Sequence, residues 1–272
     1  MKSTLKKLLS GCFCAAALSS SIVSFVSAQT SQEVSTASDA NIARGAYLVE
    51  GLGHCGACHT PRGIGFQEQG YTAQDPLFLS GAVVENWRAN DLRALPLTQD
   101  EIAELLKYGI TQKKGVFGPM REVITESTQF LSDEDLHSIA AYLLSLKSSS
   151  TQQSSQNAPV GEPSASKDAA ALGVYMTYCS TCHGASGTGV AHTIPALAGN
   201  SNVIAKDARN LIHILHNGAR TPTLEERQPY VMPAYKEILT EEQMIALINY
   251  LRQSWGNQAA PITPKEYQEV TK

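Results

Sequence analysis

Two stretches decide the fold: IARGAYLVEGLGHCGACH at residues 42–59 and AAALGVYMTYCSTCH at residues 169–183. Each reads as a short helical run ending in two cysteines three apart, with a histidine directly after the second: Cys55, Cys58, His59 and Cys179, Cys182, His183. The repeat continues beyond these motifs. Each half has a middle helix followed by Gly, over Thr98 to Tyr108 and over Lys206 to Asn217. A Pro-flanked methionine in a loop comes next: Met120 in GVFGPM and Met232 in QPYVMPAY. Each half closes on an amphipathic helix, with Leu136, Ile139, Ala140 and Leu143 on one apolar face and Met244, Leu247, Ile248 and Leu251 on the other. Thr98 with Glu101 and Thr240 with Gln243 match the capping box that opens a helix, and Ser132 with Asp135 is a weaker version. Strand signals are almost absent, so the expected class is all-α with long loops.

Composition marks the boundaries. Residues 1–28 carry Lys2, Lys6 and Lys7, then an apolar stretch from Leu8 to Val26, then the small-residue site Val26-Ser27-Ala28; this predicts a secretory signal peptide. The alternative is a retained membrane anchor. Leu9-Ser10-Gly11-Cys12 resembles a lipoprotein site, but the apolar run before Cys12 is too short for one. Residues 148–166 (SSSTQQSSQNAPVGEPSAS) are too poor in apolar side chains to build a core and read as a flexible linker. The expected organisation is a domain at 39–147, the linker, a second domain at 167–262, and a polar C-terminal tail at 263–272. The net charge is −4 and becomes more negative when the leader's lysines are lost. No basic run is present, which argues against nucleic acid, and a mildly acidic surface favours a partner with a basic docking patch.

The doubled C-x-x-C-H pattern carries the chemistry. Of the six cysteines, two lie in the leader and the other four all fall in this pattern. Two thiols on one helical turn can reach the two vinyl groups on one edge of a porphyrin, and the next residue then points under the ring, where imidazole binds iron. Covalent haem c, two copies, is the predicted cofactor, held by Cys55, Cys58, Cys179 and Cys182. A redox disulfide needs a strand–helix setting that is missing, and a zinc site does not require His after both pairs. Attachment of such a haem outside the cytoplasm agrees with an export signal, so the periplasm is the expected location.

His59 and His183 are the first axial ligands on this reading. A soft thioether opposite each raises the potential of a carrier, and Met120 and Met232 are the candidates. Met244 lies on a core face and Met176 precedes its cysteines too closely to cross the ring. His137, His192, His213, His216 and Lys113 are possible substitutes, while His54 is expected at the haem edge or in solvent. Ile194-Pro195-Ala196-Leu197 is a fitting place for the carbonyl that orients His183. Gly45 and Tyr47 with Tyr142, and Gly173 and Tyr175 with Tyr250, suggest close helix crossings. Arg62, Trp87 and Arg220 are candidates for contact with haem propionates, which the sequence only hints at. Two six-coordinate irons describe an electron carrier with no catalytic activity of its own; a dihaem enzyme, such as a peroxidase or thiosulfate dehydrogenase, would need an open iron site.

Longer phrases add a family resemblance. RGAYLVEGLGHCGACHTPRG, SGAVVENWRANDLRA, FGPMREVITESTQFLSDEDLHSIAAYL and YVMPAYKEILTEEQMIALINYLRQSWGNQAAP together resemble the cytochrome c subunits of bacterial membrane-bound alcohol, gluconate, aldehyde and nicotinate-type dehydrogenases. The resemblance covers nearly all of residues 40–262. It implies two tandem class I cytochrome c domains, His59/Met120 and His183/Met232 as axial pairs, and a dehydrogenase catalytic subunit as electron donor. It implies a terminal oxidase, another cytochrome or quinone as acceptor. Members typically carry three haem domains and a C-terminal membrane-binding helix, neither of which is evident in this sequence. A soluble relay, or one peripheral to the inner membrane, is therefore the expectation.

Overall fold

The computed structural model describes residues 38–112, 114–146 and 168–272. The expected leader, the linker and Lys113 lie outside the described residues.

The first half opens with a helix over 38–46 (α1) that widens into a π-helical turn, Tyr47–Leu52, which buries Leu48 and Val49. A single turn, α2 (Gly56–His59), carries the first motif. A hairpin comes next, β1 (Ala82–Val84) and β2 (Trp87–Ala89), and then α3 (Gln99–Tyr108), α4 (Pro119–Glu126) and α5 (Asp133–Ser145). In the second half α6 (Ala169–Tyr178) leads into α7 (Ser180–His183), followed by α8 (Arg209–Asn217), the short pair β3 (Ala219–Arg220) and β4 (Val231–Met232), and α9 (Glu241–Gln253). Each half has its own apolar cluster, one around Leu48, Phe78, Leu79, Ile102 and Tyr142, the other around Tyr175, Leu211, Ile212, Met244 and Ile248. This is the predominantly helical, two-domain arrangement that the internal repeat predicts.

The helix starts follow the predicted caps. Thr98 and Thr240 form complete capping boxes, and Ser132 accepts from the Asp135 amide without a reciprocal bond. The middle helix of the second half begins later than expected, at Arg209, because Asp207 turns back to hold the Arg209 amide and guanidinium. Gly45 lies where α1 crosses α5: a Cβ there would be 2.0 Å from the Ser138 carbonyl oxygen. The matching expectation for Gly173 is corrected, since a Cβ there meets nothing within 4 Å. Ala171, fully buried, is the small residue on the inner side of α6. Tyr175 and Tyr250 do pack together at 5.5 Å, joined by Trp255, whose indole lies 4.9 Å from Tyr175.

The C-terminus departs from the expected polar tail. Residues Pro264–Thr271 form a helix, α10, opened by a capping box between Thr263 and Glu266, and it buries Tyr267 and Val270. It packs on α8 and α9. Behind it, Arg252 is 1% exposed and donates to the carbonyls of Ala260, Val203 and Ala205 at 2.8–2.9 Å. The charge is thereby buried with backbone acceptors around it, the condition under which a protein interior tolerates one.

Residues 41–272 form one unit, so the two halves touch. Arg227 donates to the Tyr108 carbonyl, Gln129 to Thr223, and His192 meets Glu104 at 2.6 Å. No helix among the described residues is long and apolar enough to cross a membrane.

Candidate haem sites

The helical turn of each motif sets two thiols and an imidazole on one short arc. Cys55 precedes α2 and Cys179 precedes α7; the carbonyls of both accept from the amides of His59 and His183, at 3.0 and 2.9 Å. One thiol of each pair is exposed, Cys58 and Cys182, while Cys55 and Cys179 turn inward. All four thiols are free. Burial pushes the Cys55 and Cys179 thiols up to about 11, so without a bound group they stay protonated at neutral pH. Among the described residues no group of three or more His, Cys, Asp or Glu side chains is arranged to hold an ion.

The imidazoles are oriented by backbone. His59 Nδ1 lies 2.7 Å from the Asn90 carbonyl oxygen, and His183 Nδ1 lies 3.0 Å from that of Pro195. A carbonyl can only accept, so Nδ1 carries the proton and Nε2 is the nitrogen with the lone pair free for a metal. Burial holds both histidines below the ordinary imidazole value, against the opposing pull of the carbonyls and, for His59, of Asp91. Both are therefore neutral at pH 7, the form that ligates. Pro195 lies within the segment expected from the sequence to supply this carbonyl. Asn90, at the end of the β1–β2 hairpin, has no such signal in the sequence.

The candidate methionines occupy corresponding places in chain order but different local structures. Met120 is in the first turn of α4, entered through Gly118 at φ 58° and Pro119 at the first helical position, so the expected loop is corrected to a helix start. Met232 lies in β4 opposite Ala219, where Gly218 approaches so closely that a Cβ would be 2.7 Å from the Met232 carbonyl oxygen. Both are part-buried. Met244 is in the core and Met176 is half exposed on α6, as their positions in the sequence suggest.

The rival histidines are engaged elsewhere. His54 pairs with Glu68 at 3.0 Å, His137 with Asp100 at 3.3 Å, and His192 with Glu104. His213 Nε2 lies 2.9 Å from the Asn86 carbonyl oxygen, and His216 Nδ1 lies 3.1 Å from Asn217. Arg62, considered for a propionate, is tied to the carbonyls of Ala57 and Phe66 and to Glu68. The donor set at each motif, two free thiols on one turn and an imidazole fixed through Nδ1, suits a covalently attached porphyrin in both halves.

The family model for cytochrome c matches residues 42–147 and again 169–255. The cytochrome c subunit of a quinone-dependent alcohol dehydrogenase from Gluconacetobacter polyoxogenes is 40% identical over 237 residues, covering 81% of this chain and 50% of that protein. Its counterpart from Gluconobacter oxydans is 37% identical over 249 residues, 86% of this chain and 52% of that one. The gluconate 2-dehydrogenase cytochrome c subunit of Pantoea cypripedii is 35% identical over 250 residues, 86% and 57%. The chain thus spans about half the length of the relatives it matches. With the family model matched twice, once over each C-x-x-C-H half, the chain belongs to the cytochrome c family.

Proposed function

We propose that this chain is an exported electron relay with two covalently attached haems, accepting electrons from a dehydrogenase catalytic subunit and passing them to an oxidase, another cytochrome or quinone. The observation that carries the reading is that each half holds a C-x-x-C-H turn whose histidine is fixed through Nδ1 to a backbone carbonyl; a part-buried methionine follows later in each half. When bound, the haem iron supplies a one-electron couple. The chain's residues do the rest. Cys55, Cys58, Cys179 and Cys182 tether the rings; His59 and His183 offer Nε2; Met120 and Met232 offer sulfur. With His59 and Met120, and His183 and Met232, all engaged as ligands, the chain would leave a bound haem no open position for substrate, which separates a carrier from a peroxidase-like enzyme.

The dehydrogenase partner is supported by what the relatives are, cytochrome subunits of alcohol and gluconate dehydrogenases. Export is supported by residues 1–28, and the periplasm is the compartment to which such a leader directs a chain that carries haem c. The test is reduction of the purified holoprotein in the presence of carbon monoxide. A carrier leaves both haem spectra unchanged; rapid binding by either haem favours the dihaem-enzyme reading instead.

A further inference from the structure

The β1–β2 hairpin is built like a clasp. At its base, the Gly81 amide donates to the His59 carbonyl at 2.8 Å, and the Asn90 carbonyl receives His59 Nδ1 at 2.7 Å. Both ends of the hairpin thus hold the proposed iron-binding histidine of the first half. One wall of it touches the methionine arm: a Cβ on Gly118, two residues before Met120, would be 3.0 Å from three carbons of the Trp87 indole.

The tip is held by the other half of the chain. Glu85 and Asn86 both have positive φ, 47° and 64°, the turn that suits a tight two-residue hairpin. Asn86 accepts from Arg209, donates to the Val270 carbonyl of α10, and its own carbonyl meets His213 Nε2. Trp87 stacks on the His213 ring at 4.6 Å and 25°. Asn210, 4% exposed, pairs with the backbone of Arg88 as another strand would, accepting its amide and donating to its carbonyl at 2.9 Å each. Beside this contact a cleft of about 590 Å³ runs between the two methionine arms, lined by Trp87, Pro119, Arg121, Arg220 and Met232. The hairpin is therefore a solid link alongside that open space.

We propose that Asn210 and His213 of the second half are positioning residues for the haem of the first half, acting through the hairpin on both of its axial arms. The inference rests on the two-haem reading above. Its physical basis is that a histidine's orientation and basicity depend on the group that holds Nδ1, and that group's own placement depends on what anchors it.

The test uses the full-length holoprotein and potentiometric titration, with the first haem assigned by the change that Met120→Ala makes. Asn210→Ala strips both bonds from Arg88. His213→Ala, at a part-exposed site, removes the stack and the bond to Asn86 with less burden on folding. Either variant is expected to change the relative stability of oxidised and reduced first haem about tenfold, which for one electron is about 59 mV, with the second haem unmoved. Shifted methionine methyl resonances of that haem should accompany it. Asn249→Ala is the control: this amide makes the same two-bond contact with Ile262, wholly within the second half. Midpoints unchanged in both variants, or moved equally by the control, would overturn the proposal. Wild-type protein with no six-coordinate first haem would instead overturn the function on which it rests.

Discussion

Replacing Gly189 by Ala tests how the second histidine is held. Gly189 has φ 65°, and a Cβ added there would lie 2.3 Å from the Ile194 carbonyl oxygen and 2.7 Å from that of Pro195. Ordinary contact begins near 3.4 Å, so the two oxygens must retreat by roughly 1.1 Å and 0.7 Å. The Pro195 oxygen is the one that holds His183 Nδ1 at 3.0 Å, and a retreat of that size takes it beyond hydrogen-bonding distance. The left-handed backbone costs a non-glycine residue about 1–2 kcal/mol, and the lost bond about 1 kcal/mol more. The variant should therefore unfold with about 2–3 kcal/mol less stability in denaturant titration. Because the imidazole loses the acceptor that raises its basicity, the second haem's midpoint should rise while the first stays put. Wild-type stability with an unmoved second midpoint would refute the idea that this loop sets the histidine.

Three further outcomes are expected. Met120→Ala should open the first iron, so that carbon monoxide binds one of the two reduced haems, and Met232→Ala should do the same for the other; spectra unaffected by either change would remove that sulfur from its site. Arg252→Met keeps volume but leaves the carbonyls of Val203, Ala205 and Ala260 without their donor, which should cost about 3–5 kcal/mol in urea titration. In the chain before haem attachment, where Nε2 of His59 and His183 is free to titrate, acid should destabilise the fold: burial lowers both below the unfolded value near 6.5, so their contribution is complete above that pH. It is lost as pH falls from about 6.5 toward the depressed folded values, because the unfolded chain then binds more protons. Stability flat across that range would contradict the burial argument.

The features legible in the sequence are those set by local chemistry. The C-x-x-C-H turns, the capping boxes at Thr98 and Thr240 and the apolar faces of α5 and α9 each depend on residues within a few positions of one another. Pro195 is within reach for the same reason, lying 12 residues from His183. Features that depend on distant partners are not legible. The β1–β2 strands have three residues each, too few for alternation to show, and their tip is gripped by Asn210, His213 and Val270 from the far half. Asn90 is hidden with them. Two departures from expectation have a usable local signal. Thr263-Pro264-Lys265-Glu266 is a capping box with proline at the first helical position, and Tyr267 and Val270 supply the apolar side of α10. Gly118-Pro119 ahead of Met120 likewise marks a helix start rather than a loop. The Gly173 expectation fails because Tyr47 lies eight positions before Cys55 but Tyr175 only four before Cys179, so the two Gly-x-Tyr pairs are not equivalent: Tyr47 is exposed and Tyr175 is buried.

The most direct test of the central claim is intact and peptide mass spectrometry of protein made in a host that attaches c-type haem. The account expects two haem masses on the chain, one on the peptide holding Cys55 and Cys58 and one on the peptide holding Cys179 and Cys182. A mass equal to the bare polypeptide, or haem on one peptide alone, would contradict it.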